Sequence, residues 1–490
     1  MPCGGRRHYI GPELPDTGSR WHGRPSPIGT PGPNARTQAV TDVLVIGAGP
    51  AGMTAALELL ALGLAVSVVD DQPAPGGRIF ASIETRSPHG AEERAGSSLV
   101  SRFRESGGLY LSRTEAWQIE PGPRVFMTRE GVATMVEPRF IILATGAQER
   151  PMPFTGWQLP GVMTVGAAQI LLKTARQIPD EPVWLAGSGP LLLLYARQLL
   201  RAGGTIAGFL DTTPAGRVAA AAPHLLGALA YGWRDLARGA AWLARMRGAR
   251  TVRGVTSIEA LGEEQLRSVR YVGEGGSGEI ETRLLFVHNG VVPGLHGTVA
   301  AGCSHRWNEQ QRCFEPIVDA FGGSTVPEIF IAGDGATILG ARAAVTSGRL
   351  AALGVARRAG RLSDDGAERR AAPLRRELAG AGRFRSLVDA LYPPIDLRLP
   401  DDALLCRCEE VTAGAVRATL RSRPQLGVDG VKIATRAGMG PCQGRQCGLS
   451  LVRLVSEVHG LPAAEVGFLR IRPPLKPLTI GELASLDVAS

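Results

Sequence analysis

Lysine is almost absent from this chain: of 54 basic residues only Lys173, Lys432 and Lys476 are lysine, and the rest are arginine. The arginines are scattered among 45 acids, and basic runs barely exceed pairs such as Arg6-Arg7. A diffuse excess of +9 lacks the basic stripe that nucleic-acid binding requires, so no nucleic-acid partner is expected. Long apolar runs are missing too. The best candidate, 183–196, falls short of the eighteen or so residues that span a bilayer, and Gly187, Ser188, Gly189 and Pro190 interrupt it. Arg6-Arg7 has no apolar stretch behind it and does not read as an export signal, so the expected compartment is the cytoplasm, with peripheral contact at the inner membrane through a complex left open. Cysteine is sparse: seven in 490 residues, and no C-x-x-C or C-x4-C pair between 39 and 302. An odd count in a long cytosolic chain argues against a disulfide framework. Cys303 and Cys313, ten apart, read as ordinary buried thiols.

Glycine, by contrast, is plentiful at 64 residues, and apolar residues make up 44%. A chain of 490 residues predicts two to four domains with ample core. Residues 1–38, rich in Pro, Gly and Arg, read as a disordered extension. From residue 39 the chain reads as α/β. An apolar strand at 43–46, a glycine turn, a helix at 53–62 and a second strand at 66–69 form a βαβ unit. A second unit of the same kind starts at 183–186, with its helix at 191–201 and its second strand at 206–210. An Ala/Leu-rich helical stretch spans 217–247, and strands at 140–144 and 329–332 run into glycine turns. These features divide the chain into a discontinuous dinucleotide-binding domain at 39–165 and 285–356, a second dinucleotide-binding-like domain at 166–284, an exposed helical linker at 357–400, and a separate module from 401 to 490.

Gly47-Ala48-Gly49-Pro50-Ala51-Gly52 has the form G-x-G-x-x-G between a strand and a helix. The first glycine permits the turn, the second admits a pyrophosphate, the third lets helix and strand pack closely, and the helix N-terminus offers free N–H groups to phosphate. Asp70 ends the next strand, where an acid can accept from a ribose diol. The second unit is degenerate: Gly187-Ser188-Gly189-Pro190-Leu191-Leu192 puts Leu192 at the third glycine position, with Asp211 ending the next strand. NAD(P), another adenine nucleotide or no ligand at all remain open there.

Four cysteines crowd near the C-terminus as Cys406-Arg407-Cys408, then Cys442-Gln443-Gly444-Arg445-Gln446-Cys447. Four thiolates can hold a [2Fe-2S] cluster, and each pair precedes an expected helix, at 411–420 and 448–458, whose N-terminus favours thiolate. Arg407 and Arg445 would add positive charge at the sulfurs. Structural zinc is the competing reading, but zinc pairs usually take the spacing C-x2-4-C.

Several stretches together carry a resemblance. They are 141–154, with Leu143-Ala144-Thr145-Gly146-Ala147-Gln148-Glu149-Arg150-Pro151; Gly156-Trp157; 159–162; His288-Asn289-Gly290; Ala332-Gly333-Asp334-Gly335-Ala336; and the two cysteine motifs. The chain resembles the large FAD-containing subunits of heteromeric amino- and imino-acid dehydrogenases. That family includes the corresponding subunits of opine oxidase, of hydrogen cyanide synthase and of D-hydroxyproline or proline dehydrogenase, with the sarcosine oxidase alpha chain more distant. The resemblance covers about 40–475. It implies a glutathione-reductase-like two-dinucleotide-domain flavoprotein joined to a small bacterioferritin-associated-ferredoxin-like [2Fe-2S] domain. It implies FAD at Gly47, Ala48, Gly49, Pro50, Ala51, Gly52, Asp70, Gly77, Arg78, Thr145, Gly146, Gly333 and Asp334, with Asp334 near the ribityl chain, and the cluster on Cys406, Cys408, Cys442 and Cys447. A partner flavoprotein of the D-amino-acid-oxidase type would remove hydride from a C–N bond. This chain would pass the electrons on to an acceptor, and FMN at the interface with that partner stays open. No catalytic residue is assigned; His288 reads as structural or flavin-orienting rather than as an acid/base. The alternatives are a self-sufficient NAD(P)H-dependent reductase and a non-enzymatic redox sensor or assembly protein. Neither the amine oxidised nor the stoichiometry follows from the residues.

Overall fold

A computed structural model describes residues 41–486 apart from 247, 396 and 398. The expected disordered extension at 1–38 lies outside the described residues.

Two five-stranded parallel sheets organise the body. In the first the order is Ile329–Ile331, Phe140–Leu143, Val43–Ile46, Val66–Val69, Leu109–Leu111. In the second it is Thr251–Val252, Ile206–Asp211, Val183–Gly187, Leu285–His288, Val162–Thr164, again all parallel. With the second order read in reverse, four strands correspond one to one, each glycine-turn strand sits at the centre, and the edge strands Ile329–Ile331 and Val162–Thr164 come from different places in the chain. Each sheet is accompanied by a three-stranded antiparallel sheet, from 114 to 136 and from 257 to 281. Central strands buried on both faces explain the continuous apolar runs in place of alternation: Val43, Leu44 and Val45 are at most 2% exposed.

The register moves two expected boundaries. Val162–Thr164 pairs with Leu285–His288, which in turn pairs with Val183–Gly187. Both strands therefore belong to the second sheet, not to the first domain, as boundaries at 165 and 285 would have had it. The expected linker also needs correction. Asp364–Leu391 is a single helix whose Ala367, Ala371, Leu374, Ala381 and Leu387 are buried. It packs against Phe321, Leu350 and Leu353 on one side and Ala221 and Ala228 on the other. Small alanines make its buried stripe, so the helix reads as polar while serving as core.

The C-terminal segment opens with a hairpin, Leu404–Cys406 against Val411–Thr412. Helices Ala413–Ser422, Val428–Thr435 and Gly448–His459 follow. Its packing is not separate: Leu295 and Phe314 of the body share one core with Leu405, Cys406, Cys447, Leu451 and Leu469. The chain then returns to the first sheet's side, where Leu475 N donates to Trp117 O at 2.7 Å and Lys476 Nζ lies 2.9 Å from Asp71 Oδ2. Among the described residues no helix is long and apolar enough to cross a membrane.

Candidate functional site

At the end of the central strand of the first sheet, Gly47 adopts φ +107°, and a methyl there would lie 2.4 Å from Ala144 O. A methyl on Gly52 would lie 1.9 Å from Gly47 O, so helix Pro50–Ala61 can sit this close to the strand only with glycine there. Gly49 is different: nothing stands within 4 Å of an added methyl. The two outer glycines are required by the protein's own backbone, while the middle one faces open space at the helix N-terminus. That is the arrangement a pyrophosphate needs. Gly77, at φ +58°, closes against Gly49 Cα, and Gly76 N donates to Ala48 O at 2.9 Å. Arg78 lies at the rim of this turn.

Asp70 is buried at 7% exposure. Its carboxylate accepts from Ala48 N, inside the glycine turn, and from Gln72 N at 2.7 Å. Burial pushes its carboxyl up to about 6, against which the two backbone bonds work. Thr145-Gly146 lies beside this turn, where Gly294 N donates to Gly146 O at 2.9 Å. Across the sheet, Gly333 at φ +71° lies against Ala51 Cβ. Asp334 Oδ1 accepts from Leu339 N and Gly340 N at 3.0 and 2.9 Å, fixing the entry to helix Ala341–Arg358. Burial raises its carboxyl as well. The predicted residues from Gly47 to Asp334 thus gather at the carboxyl end of one sheet, beside the crevice between Val43–Ile46 and Phe140–Leu143 where strand order reverses.

The second turn copies the topology but not the geometry. Gly189 has φ +107°, where Gly49 has −74°. Leu192 is buried in the core with Val183, Leu185 and Phe286, filling the space a third glycine would vacate. Asp211 Oδ1 accepts from Thr213 N at 2.9 Å, as Asp70 Oδ1 does from Gln72 N, while Asp70 Oδ2 also accepts from Ala48 N inside its own glycine turn.

His288, expected to be structural or flavin-orienting, lies at the second turn. Its carbonyl would lie 1.8 Å from a methyl on Gly187, and its Nε2 3.8 Å from one on Gly189. Nδ1 meets Glu149 Oε1 at 2.6 Å, and Glu149 Oε2 accepts from Gly166 N at 2.7 Å, at the start of helix Val165–Ala175. Sequence reasoning misses this buried pair. The one signal for it is three consecutive polar residues, Gln148-Glu149-Arg150, between apolar segments.

The four C-terminal cysteines come together as two pairs. Cys406 and Cys447 hydrogen-bond to each other, and that bond brings the Cys406 thiol down to about 6 and pushes the Cys447 thiol up. Cys408 meets Cys442 through the latter's backbone N–H and its thiol. Cys406 and Cys447 are buried and Cys408 is exposed. Among the described residues no three His, Cys, Asp or Glu side chains are arranged about a single ion. Four thiols in two pairs are a donor set that a binuclear cluster could use, two thiolates per iron. A methyl on Gly440 would lie 2.2 Å from Cys408 Cβ, so the loop closes this tightly only with glycine there. Arg445 stays near, with Nη1 3.3 Å from Cys442 O. The Arg407 guanidinium stacks on Trp157 at 5.0 Å, while Trp157 Nε1 donates to Leu404 O at 2.7 Å. Cys303 and Cys313 are buried, and burial raises both thiols, Cys313 to about 11.

Comparison with known proteins agrees with this geometry. Residues 41–360 match the pyridine nucleotide-disulphide oxidoreductase family, and residues 405–486 match the sarcosine oxidase A3 domain. The chain belongs to the pyridine nucleotide-disulphide oxidoreductases. It is 40% identical over 462 residues to an opine oxidase subunit of Rhizobium meliloti, covering 91% of this chain and 87% of that one. It is 31% identical over 464 residues to hydrogen cyanide synthase subunit HcnB of Pseudomonas aeruginosa, covering 90% and 98%. Among solved structures it matches L-proline dehydrogenase from P. horikoshii with a TM-score of 0.66 at 20% identity, covering 91% of this chain and 79% of that one, which speaks for the fold. The first two relatives are named as subunits of larger assemblies, and no Cys-x-x-Cys dithiol lies within 41–360 of this member.

Proposed function

We propose that the chain is the electron-conducting subunit of a heteromeric dehydrogenase acting on secondary amines or amino acids of the opine, glycine or proline type. FAD would be held at the first glycine turn and a [2Fe-2S] cluster on Cys406, Cys408, Cys442 and Cys447. The observation that carries the reading is the gathering of four thiols in two pairs beside a body whose first dinucleotide turn is intact and whose second is not. Bound FAD would supply two-electron acceptance with one-electron release, and the cluster one-electron carriage.

The chain's own residues then have definite tasks. Gly49 and the N–H groups of helix Pro50–Ala61 receive the pyrophosphate, and Asp70 accepts from the ribose. Thr145, Gly146 and Gly333 wall the crevice, and Asp334 stands beside it. Arg445 supplies positive charge beside Cys442. None of these groups forms an acid/base constellation against a substrate, which supports placing amine oxidation in a partner flavoprotein of the D-amino-acid-oxidase type. The final acceptor and any interfacial FMN would be features of that complex, in the cytoplasm or held at the inner membrane by it.

The test is anaerobic. The purified chain is mixed with NADH or NADPH, then with dithionite, and flavin absorbance is followed. Bleaching by dithionite alone is expected. Rapid bleaching by either nicotinamide would favour a self-sufficient reductase working through the second turn.

A further inference from the structure

The loop that carries two of the four thiols is tied to the first nucleotide turn by two side chains. Gln148 Nε2 donates to Arg445 O at 2.9 Å, and His296 Nε2 lies 2.9 Å from Gln443 O. A carbonyl only accepts, so Nε2 of His296 carries the proton. Burial drives this imidazole's pKa down to about 4, with the Arg445 charge acting in the same sense, so the ring is neutral. Both bonds land between Cys442 and Cys447.

Their other ends have a common origin. Gln148 follows Gly146 by two residues and His296 follows Gly294 by two, and Gly294 N donates to Gly146 O at 2.9 Å. Strands Ala147–Glu149 and Val291–Pro293 pair directly, with Gln148 opposite Val292. The end of this strand pair where Ala147 faces Pro293 therefore carries both the Gly146–Gly294 contact beside the nucleotide turn and, within two residues of it, the side chains that reach the cysteine loop. Between them Leu295 is buried in the same core as Cys406 and Cys447.

We propose that Gln148 and His296 are positioning residues that clamp the loop 443–445 to the Gly146–Gly294 turn, fixing the cysteine centre at a set distance from the first nucleotide site and providing a direct hydrogen-bonded route between them. The inference rests on the cofactor reading above. Two hydrogen bonds hold loop carbonyls that no regular ladder would fix, and a buried neutral donor loses its partner at a real cost if the loop shifts.

The test compares Gln148→Leu, His296→Leu and the double variant with the parent chain, and adds His296→Gln, which keeps an N–H donor. Hydrogen exchange of the 443–447 amides reads the clamp itself. Protection should fall about tenfold for each bond lost, the equivalent of one net buried hydrogen bond, and His296→Gln should restore part of it. In chains loaded with flavin and iron, the EPR line shape of the reduced centre should change in the double variant. The rate at which electrons distribute between the centres after rapid reduction should fall, with iron and flavin content retained. Full protection, an unshifted spectrum and an unchanged rate in the double variant would overturn the clamp. A parent chain without iron would instead sink the cofactor reading, and hydrogen exchange on that chain would still judge the clamp. Should the double variant not fold, the single variant Gln148→Leu carries the same readouts.

Discussion

Replacing Gly49 and Gly52 in turn by alanine separates two jobs that the motif combines. In Gly52→Ala the new methyl would lie 1.9 Å from Gly47 O, a backbone atom that cannot rotate away. Helix and strand must part by about an ångström or more, through a core in which Val43, Val45, Met53 and Ala55 are fully buried. Overpacking of this severity reaches about 3 kcal/mol or more. At roughly 1 °C per kcal/mol for a chain of this size, it should melt about 3 °C lower even without ligand. In Gly49→Ala the methyl meets nothing within 4 Å, and φ −74° suits any residue. The melting temperature of the ligand-free chain should not move. The methyl nevertheless takes the space reserved for the pyrophosphate, and FAD affinity should fall by about 2–3 kcal/mol, roughly 30- to 150-fold. The assays are differential scanning fluorimetry on flavin-stripped chains and fluorescence titration with FAD. Unchanged FAD binding by Gly49→Ala would refute the placement of the ligand. Equal melting of Gly52→Ala and the parent would refute the packing argument.

Cys408→Ser or Cys442→Ser should abolish iron retention, whereas Cys303→Ser and Cys313→Ser should keep it, as read by metal analysis of freshly purified protein. Asp70, whose carboxyl burial raises to about 6, gives a pH signature. Only the ionised form accepts freely from a ribose diol, so FAD should bind about tenfold more weakly at pH 5 than at pH 8, and Asp70→Asn should flatten that dependence. The same raised carboxyl means that, without ligand, its ionisation costs the fold stability as pH climbs from its ordinary value of 3.8 toward 6. Glu149→Ala strips the partner from buried His288 Nδ1 and from Gly166 N, and should lower stability by about 3 kcal/mol, measured by chemical denaturation.

What can be read from the sequence is what local spacing encodes. Gly47, Gly49 and Gly52 between a strand and a helix announce their own turn, and both βαβ units appear in the structure close to the expected residues. The cysteine motifs are equally local, and the helices after them begin at Ala413 and Gly448. The boundaries at 165 and 285 fail because Val162–Thr164 is only three residues long and its sheet is settled by partners more than a hundred residues away. Arg407 stacking on Trp157, and Gln148 reaching Arg445 across 297 residues, are contacts that no period or spacing reports. The helix Asp364–Leu391 passes for a linker because its buried stripe is alanine, which leaves hardly any hydrophobic contrast.

The central claim, that four paired thiols make this an electron-conducting flavoprotein subunit, is tested most directly by composition. The chain, purified without oxygen, would be analysed for iron, acid-labile sulfide, zinc and flavin, then reduced with dithionite and examined by EPR. Iron and sulfide are expected in equal amounts, in the proportion of one [2Fe-2S] cluster per chain, with bound FAD and an EPR signal that appears on reduction and disappears in Cys408→Ser. Stoichiometric zinc, no sulfide and no EPR signal from a stably folded chain would contradict it.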